Sequence, residues 1–485
     1  MQNIEVYNRA KIWQIGLFSL NSMSSGLHGM MMLYMVYYAS GVLGMGVAMV
    51  SGVIMALTLF DGIIDPFIGW FIDRTNGRFG KFRPFMVLGN LVMAFALLLI
   101  YLSQYAGAAK VPLFIIAYVI HIFGQSAVFC TTRAALTVLT NDPKQRPIFS
   151  AFDMLTSILL FVCVSMFVSN YLIVKHSDFT VAMFGEFFII TILVAAACTV
   201  LAIIGIWKKD RNEYFGLAEK SPKVKLKDGW NVMRHNRSLQ MLLISAGTDK
   251  LFANVTTNAV VMVILYGIIC GDFALSGQLN MYVALPCIIV SLLCIQYARV
   301  LGQKEAFLLS TYGGMIFSIL IFFLFLFGDP TTLSFTNWGT FTVLFLILMT
   351  FRGGFMNVGR SIFVPMIADC ADYEVIRSGK YIPGMIGAMF SFVDQIVNSL
   401  KGVIVGALVI LAGYRESYPT VNSLYSAELF WIAMICFCGL PVLGYIINIV
   451  CMRFYPLNKA KMIEIQQKIR DIKESANDEL GVKEA

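Results

Sequence analysis

Charged residues are scarce in this chain of 485 residues. Only 13% of the residues are Asp, Glu, Lys or Arg, whereas 58% are hydrophobic; soluble proteins have about 25% charged and about 45–50% apolar residues. A soluble globule cannot bury so much apolar surface, and a disordered chain requires low hydrophobicity and high net charge. The composition therefore excludes both classes and predicts a membrane protein with many spans.

Histidine is rare, and the cysteines do not have the spacing of a metal or redox motif. The chain has four His and ten Cys, and almost all of the cysteines lie in apolar runs without a CxxC pair. A zinc or haem site needs clustered His or Cys ligands, so we predict no metal site and no cofactor. The cysteines are interpreted as small buried hydrophobic residues.

Long apolar runs recur along the whole chain. A bilayer core of about 30 Å needs about twenty apolar residues per helix, and the backbone of each such run must satisfy its own polar groups, which favours helices. We therefore predict an all-α membrane protein with twelve transmembrane helices. The predicted spans are 12–39, 45–72, 85–108, 112–139, 147–174, 182–207, 238–268, 275–298, 305–328, 338–367, 382–413 and 425–452.

Lys and Arg are distributed unequally between the two sets of gaps. Of the 36 basic residues, 28 lie in the gaps that include both termini, and only Lys110, Lys175 and Arg415 lie in the opposite gaps. Cytoplasmic segments are enriched in Lys and Arg. We therefore predict a multi-pass protein of the cytoplasmic membrane with both termini in the cytoplasm. The net charge of +8 reflects this orientation and does not indicate a nucleic-acid partner.

The longest polar break divides the predicted spans into six and six. Two bundles joined by a charged loop are typical of secondary transporters. The predicted organisation is an N-terminal six-helix bundle at 1–207, a cytoplasmic middle loop at 208–237, a C-terminal six-helix bundle at 238–453 and a cytoplasmic tail at 454–485.

Ionisable residues within the spans are the candidate functional groups, since each costs about 2.5–3.5 kcal/mol at a helix centre on insertion scales. Asp61 and Asp65 share one face of the second span because they are four residues apart. At 1.5 Å per residue from Asp73 they lie about 18 and 12 Å deep, where transporter ion sites are found. Their carboxylates can bind Na⁺ or share protons. The alternative is that they only pair with a cationic side chain. Lys401 in span eleven is the predicted partner, and a purely structural ion pair is the alternative.

Further intramembrane charges lie on other spans. Arg133 in span four and Asp153 in span five are predicted to face one another or a substrate. For the remaining charges, packing or gating is favoured over direct contact with a ligand. These residues are Asp249, Lys250, Arg352, Arg360 and Asp394.

Two segments carry a family resemblance. DGIIDPFIGW at 61–70 with DRTNGRFGKFRP at 73–84, and IADCADYE at 367–374, resemble the glycoside-pentoside-hexuronide:cation symporters, the melibiose-carrier branch of the major facilitator superfamily. The resemblance extends from about residue 10 to 450. It implies the two-bundle major facilitator fold and cation-coupled symport of a glycoside, hexuronide or related small organic solute by alternating access.

The resemblance also implies roles for individual residues. Asp61 and Asp65 match the cation site of the family, and Lys401 matches its helix-eleven lysine. A basic loop and an acidic loop match its cytoplasmic gate. The implied gate residues are Arg74, Arg78, Lys81, Arg83, Asp369 and Asp372.

The chain departs from the family pattern at several polar positions. Ile64 replaces the usual asparagine before the second aspartate, which removes an oxygen ligand and weakens the case for Na⁺ relative to H⁺. Polar residues of helices one, four and five also differ, and we hypothesise that Arg133 receives a carboxylate, since a guanidinium matches its geometry. The predicted substrate-binding residues are Ser25, Thr131, Arg133, Asp153 and Asp249.

The predicted partners follow from this interpretation. We expect a small-molecule substrate, the lipid bilayer and H⁺ or Na⁺ as the coupling ion, with function as a monomer and no enzymatic activity. A carrier of a non-sugar organic solute, a facilitator and an exporter remain as alternatives. An intramembrane enzyme is disfavoured because the sequence has no paired-His motif and no Gly-x-Ser-x-Gly.

Overall fold

The fold is described from a computed structural model, which covers residues 9–74, 79–139, 146–210, 234–378, 383–465 and 467–468. These residues form helices and connecting segments, and no strand occurs among them. The long helices are α1 (Ile12–Leu33), α2 (Val47–Arg74), α3 (Arg83–Leu102), α4 (Lys110–Leu139), α5 (Arg146–Met166), α6 (Val181–Ile206), α7 (Arg237–Thr256), α8 (Ala274–Leu301), α9 (Gln303–Phe327), α10 (Thr340–Ser378), α11 (Pro383–Leu411) and α12 (Ala427–Phe454).

Each predicted span overlaps one of these helices, which confirms the all-α, multi-span prediction. In the described part of the chain, 10 helices are long and apolar enough to cross a membrane. An eleventh span arises if α7 is joined to Ala259–Ile269, to which it is bent by 46°. The remaining helix, α1, has 22 residues but fails this test, so the number of twelve spans stays a prediction.

Polar side chains of α1 hold the N-terminal helices together. Asn21 donates a hydrogen bond to Thr132 Oγ1 at 2.6 Å. Ser24 donates to Asn90 Oδ1 at 2.7 Å and lies 3.0 Å from Thr199 Oγ1. All five side chains are buried. Polar contacts of this kind link helices within a membrane, where packing and hydrogen bonds replace the hydrophobic driving force.

The helices group into two compact units. The first unit contains Met1–Lys220, Asn258–Asn280 and Gly402–Leu429, and the second contains Ser221–Thr257, Met281–Lys401 and Phe430–Ala485. Two segments of the C-terminal sequence half therefore group with the N-terminal helices. The predicted division of the chain at 208–237 stays a prediction.

The described helical residues 459–465 and 467–468 lie in the predicted cytoplasmic tail. Ile465 is 2% exposed and packs in a cluster with Tyr455 and Leu457 in the second unit. On the exposed side, hydrogen bonds from Lys461 and Lys468 to Glu464 lower the pKa of its carboxyl to about 2. One face of this tail helix is therefore part of a core, and the other is a solvated charged surface.

Candidate functional site

The predicted cation site lies where α2 packs beside α4 in the first unit. Asp61 and Asp65 are both half-buried. Ser126 Oγ donates to Asp61 Oδ1 at 3.1 Å, and the thiol of Cys130 lies 3.7 Å from the Asp65 carbonyl oxygen. The four-residue spacing of the two aspartates is matched by the same spacing on α4. Helix α4 thus brings a hydroxyl to Asp61, and Asp65 lies one turn further along α2.

This arrangement has the chemistry of a cation or proton site. Asp61 and Asp65 lie within electrostatic range of one another, and two like charges in a poorly hydrated environment repel. A bound cation or a shared proton removes that repulsion. Ser126 Oγ adds a hydroxyl oxygen to those of the two carboxylates, since a hydroxyl group can also accept or coordinate through its lone pairs.

A buried histidine pair joins α1 to α4 in the first unit, and the sequence analysis did not identify it. His28 on α1 and His121 on α4 are 1% and 0% exposed, and their ring centroids are 5.5 Å apart. Both ring nitrogens of His121 and Nδ1 of His28 have no hydrogen-bond partner among the described residues. The ring of Tyr118 lies 6.5 Å from that of His121, and Tyr118 is within electrostatic range of Asp61.

A ladder of polar contacts joins α7 and α11 in the second unit. Lys250 forms an ion pair with Asp394, and Asn254 donates to Asn398 Oδ1 at 2.9 Å. Lys401 continues the same face of α11, because residues 394, 398 and 401 are spaced four and three apart. Lys401 is close enough to Lys250 for the two ammonium groups to repel each other. The predicted pairing of Lys401 with the aspartates of the first unit stays a prediction.

The predicted substrate residues have different surroundings. Ser25 donates its hydroxyl to the Ser22 carbonyl of its own helix at 3.1 Å. Thr131 Oγ1 and Asp153 Oδ1 are buried without a hydrogen-bond partner among the described residues. Arg133 lies on α4, and its side chain is outside the described residues. The predicted contact between Arg133 and Asp153 therefore stays a prediction.

Asp249 and Lys250 are consecutive but have different partners. Asp249 lines a small pocket with Arg352 and Tyr445 and lies within electrostatic range of Arg360. Arg352 is 2% exposed and donates to the Phe437 carbonyl at 2.7 Å. Asp249 thus belongs to the charged interior of the second unit, whereas Lys250 belongs to the ladder on α7 and α11.

The basic segment of the predicted gate is anchored by an acid that the sequence analysis did not identify. Asp210 accepts hydrogen bonds from the backbone N–H groups of Lys81, Phe82 and Arg83 at 2.9–3.1 Å and from Arg83 Nε at 3.3 Å. The guanidinium of Arg83 also lies 4.6 Å from the ring centroid of Trp207. Arg83 is therefore held within its own unit.

Gly80 is required at this anchor. Its φ of +91° is in the left-handed region, and an added Cβ would collide with the carboxylate of Asp210. Of the other basic gate residues, Arg74 ends α2 with its side chain outside the described residues, and Arg78 lies outside them altogether.

The acidic segment of the predicted gate is helical, which corrects the expectation of a loop. Asp369 and Asp372 lie within α10, which continues to Ser378. Beyond them, Glu374 is fully buried and accepts hydrogen bonds from Arg377 at 2.8 and 2.9 Å and from Asn236 at 2.9 Å. Such satisfied polar contacts allow the helix to extend past its apolar span. The pairing of the acidic and basic segments stays a prediction.

Contacts at the predicted outer side join sequence-distant parts of the first unit. The Val47 N–H donates to the Arg415 carbonyl at 3.0 Å. The hydroxyls of Ser51 and Tyr418 are 2.8 Å apart. Asn422 donates to Asp178 Oδ2 at 3.0 Å. Burial raises the pKa of the Tyr418 hydroxyl, so this group stays protonated and able to donate.

We expect Tyr418→Phe to loosen these outer contacts. The lost hydrogen bond is worth about 0.5–1.5 kcal/mol, which corresponds to a two- to tenfold change in an opening equilibrium. The native Cys270, 5% exposed in the first unit, should react correspondingly faster with a membrane-impermeant maleimide. Tyr425→Phe is the control because Tyr425 is 61% exposed, and Cys270→Ser gives the background. Equal labelling rates for both Tyr variants would contradict the assignment.

Comparisons with known proteins cover nearly the whole chain. The family profile described as MFS/sugar transport protein matches residues 15–459. A glucuronide carrier protein homolog of Escherichia coli is 25% identical over 439 residues, covering 89% of this chain and 90% of that protein. A putative glycoside/cation symporter of the same organism is 21% identical, covering 90% of each chain. The solved D-xylose-proton symporter superposes with a TM-score of 0.61 at 13% identity, covering 92% of this chain and 97% of that one.

Proposed function

Because the chain belongs to the MFS/sugar transport protein family, we propose that it is a secondary active transporter that moves a glycoside, hexuronide or related small organic solute together with H⁺ or Na⁺. The family match and the likeness to a solved symporter also confirm the predicted major facilitator fold. The observation that carries the proposed coupling is the site formed by Asp61, Asp65 and Ser126. Ionisable groups at this depth are expensive and are found mainly in ion or substrate pathways.

The substrate class is supported by the names of the relatives. One is a glucuronide carrier homolog and another a putative glycoside/cation symporter, so a sugar linked to another group is the proposed cargo. The protein works as a monomer in the cytoplasmic membrane with both termini in the cytoplasm. This orientation is supported by the excess of Lys and Arg in one set of loops.

The proposed mechanism is alternating access with reciprocal coupling. In the empty carrier the carboxylates of Asp61 and Asp65 repel, and the arriving cation or proton relieves this repulsion. Cation and solute must favour the same conformation, because each then raises the affinity for the other by the same factor. The contacts of Val47 and Ser51 with the 402–429 segment close the outer side of the first unit, and they must open for solute to enter from outside.

The choice between H⁺ and Na⁺ depends on the oxygen ligands. Na⁺ requires several oxygens, and the side chain of Ile64, directly before the second aspartate, supplies none. A proton requires only a carboxylate with a suitable environment. The oxygens of Asp61, Asp65 and Ser126 are sufficient to bind a proton. Binding of Na⁺ needs additional oxygens from the substrate or water.

Purified protein in liposomes tests the proposal. We expect addition of a suitable glycoside or uronide to cause a movement of H⁺ or Na⁺ in the same direction as the solute, and a gradient of that ion to drive solute accumulation. The measurement is a flux screen across neutral glycosides and uronides with pH- and Na⁺-sensitive dyes. Saturable uptake that never moves either ion would identify a facilitator, and a chemically altered solute would identify an enzyme.

A further inference from the structure

The ladder on α7 and α11 contains charges exposed at a depth where lipid does not tolerate them. Lys250 lies about 20 Å along α7 from its first residue, Arg237. The Lys250 side chain is nevertheless 43% exposed, and that of Asp394 is 23% exposed. Because a charge facing hydrocarbon at this depth is costly, intramembrane ionisable residues face the bundle interior or a water-filled cavity. The exposed side of this ion pair therefore faces an aqueous space.

The charges of this cluster do not balance. Lys250 and Lys401 lie within electrostatic range of one another, and only Lys250 forms an ion pair, with Asp394. Among the described residues of the second unit, Lys401 has no carboxylate within ion-pair distance. Two ammonium groups and one carboxylate leave one positive charge in excess, and an unbalanced charge away from bulk water is unfavourable.

The neighbouring polar groups have the chemistry that recognises a sugar. Asn254 and Asn398 bond to each other at 2.9 Å on the next turn of the same two helices. Each amide offers both donors and an acceptor, as sugar hydroxyl groups require. The cluster thus combines an excess positive charge with a pair of adaptable amides on one surface.

We propose that Lys250 and Lys401 bind the carboxylate of an acidic glycoside, which displaces Asp394 from Lys250, and that Asn254 and Asn398 bind hydroxyl groups of the same sugar ring. This inference rests on the proposed function and specifies the substrate class. An anionic substrate supplies the negative charge that the cluster lacks. A neutral glycoside leaves the excess charge in place, so the site selects uronides over neutral glycosides.

This proposal assigns the substrate carboxylate to a different residue from the one predicted from the sequence, Arg133. Both residues are candidates for the carboxylate, but Lys250 is part of an ion pair with a displaceable partner in the second unit, whereas Arg133 lies on α4 in the first unit. Replacing the residue that binds the carboxylate should weaken binding of the charged substrate more than binding of the neutral one. The two assignments are therefore distinguished by the same measurement on two variants.

The experiment compares methyl β-D-glucuronide and methyl β-D-glucoside as substrates in liposomes containing wild-type, Lys250→Gln, Lys250→Arg or Arg133→Gln protein. For Lys250→Gln we expect about a 10- to 100-fold loss of apparent affinity for the glucuronide, as for loss of a charged hydrogen bond. The glucoside should change less than about threefold. Lys250→Arg keeps the charge and should restore much of the glucuronide affinity.

Asp394→Asn supplies a second variant that acts in the opposite direction. It removes the competing carboxylate, so the apparent affinity for the glucuronide should rise or stay unchanged, while that for the glucoside should not improve. Equal losses for both substrates in Lys250→Gln, or a selective loss confined to Arg133→Gln, would overturn the proposal. A wild-type protein that moves neither substrate nor any coupled ion across the wider panel would instead overturn the proposed function.

Discussion

Asp61→Asn is expected to abolish concentrative uptake. The substitution removes a carboxylate charge from the site at α2 and α4 but keeps the shape of the side chain and an oxygen that can accept from Ser126. Accumulation driven by an ion gradient should fall to an internal-to-external ratio of about one, because a carrier that does not bind the ion cannot couple solute movement to its gradient. Solute exchange without net ion movement should persist, because it does not require release of the cation.

Matched variants separate this effect from a general loss of structure. Ser126→Ala removes one hydrogen bond and should reduce ion affinity only about two- to tenfold. Lys401→Ala should also remove accumulation of a neutral glycoside, since this lysine is the predicted partner of the two aspartates. Accumulation is measured as the ratio of internal to external labelled solute under an imposed gradient. Full accumulation by both Asp61→Asn and Lys401→Ala would show that the coupling site lies elsewhere.

Asp210→Ala is expected to have the largest effect on stability. The carboxylate is 1% exposed and accepts three backbone hydrogen bonds and one from Arg83. Its removal leaves these donors without an acceptor and leaves Arg83 without its counter-charge. Breaking a buried pair in this way costs about 3–5 kcal/mol. We expect a clear loss of folded protein and a lower thermal midpoint in detergent.

The control for Asp210 is an exposed acid that caps a short turn. Asp329 accepts from the Thr331 N–H at 3.0 Å, and hydrogen bonds to Thr331 hold the pKa of its carboxyl below the ordinary value. Asp329→Ala should lower the thermal midpoint only slightly, because this carboxylate is exposed to solvent and its partner Thr331 can bond to water instead. Thermal aggregation followed by size-exclusion chromatography measures both variants. A midpoint for Asp210→Ala no lower than that for Asp329→Ala would contradict the anchoring role of Asp210.

The positions of the long helices could be predicted from the sequence because the membrane imposes a simple length rule. Apolar runs of about twenty residues have one way to satisfy their backbone, and a helix overlaps every predicted span. The four-residue spacing of Asp61 and Asp65 likewise determines that both lie on one face of α2. These inferences use only local periodicity, which a single sequence contains.

The contacts that tie helices together could not be predicted in this way. Asp210 is separated from Lys81 by 129 residues, and the pair His28 and His121 joins α1 to α4. Nothing in local composition indicates such partners. The extension of α10 through Asp369 and Asp372 was also missed, because its continuation depends on the buried Glu374 and its bonds to Arg377 and Asn236 rather than on hydrophobicity.

The bond between Val47 and Arg415 has a consequence for natural variation. Both partners are main-chain atoms, and Val47 is the first residue of α2, where a helix leaves its N–H groups without internal acceptors. Exchange of either side chain for another non-proline residue keeps this tie intact. Diverging sequences can thus change the side-chain contact between Ser51 and Tyr418 while the main-chain bond between positions 47 and 415 is kept.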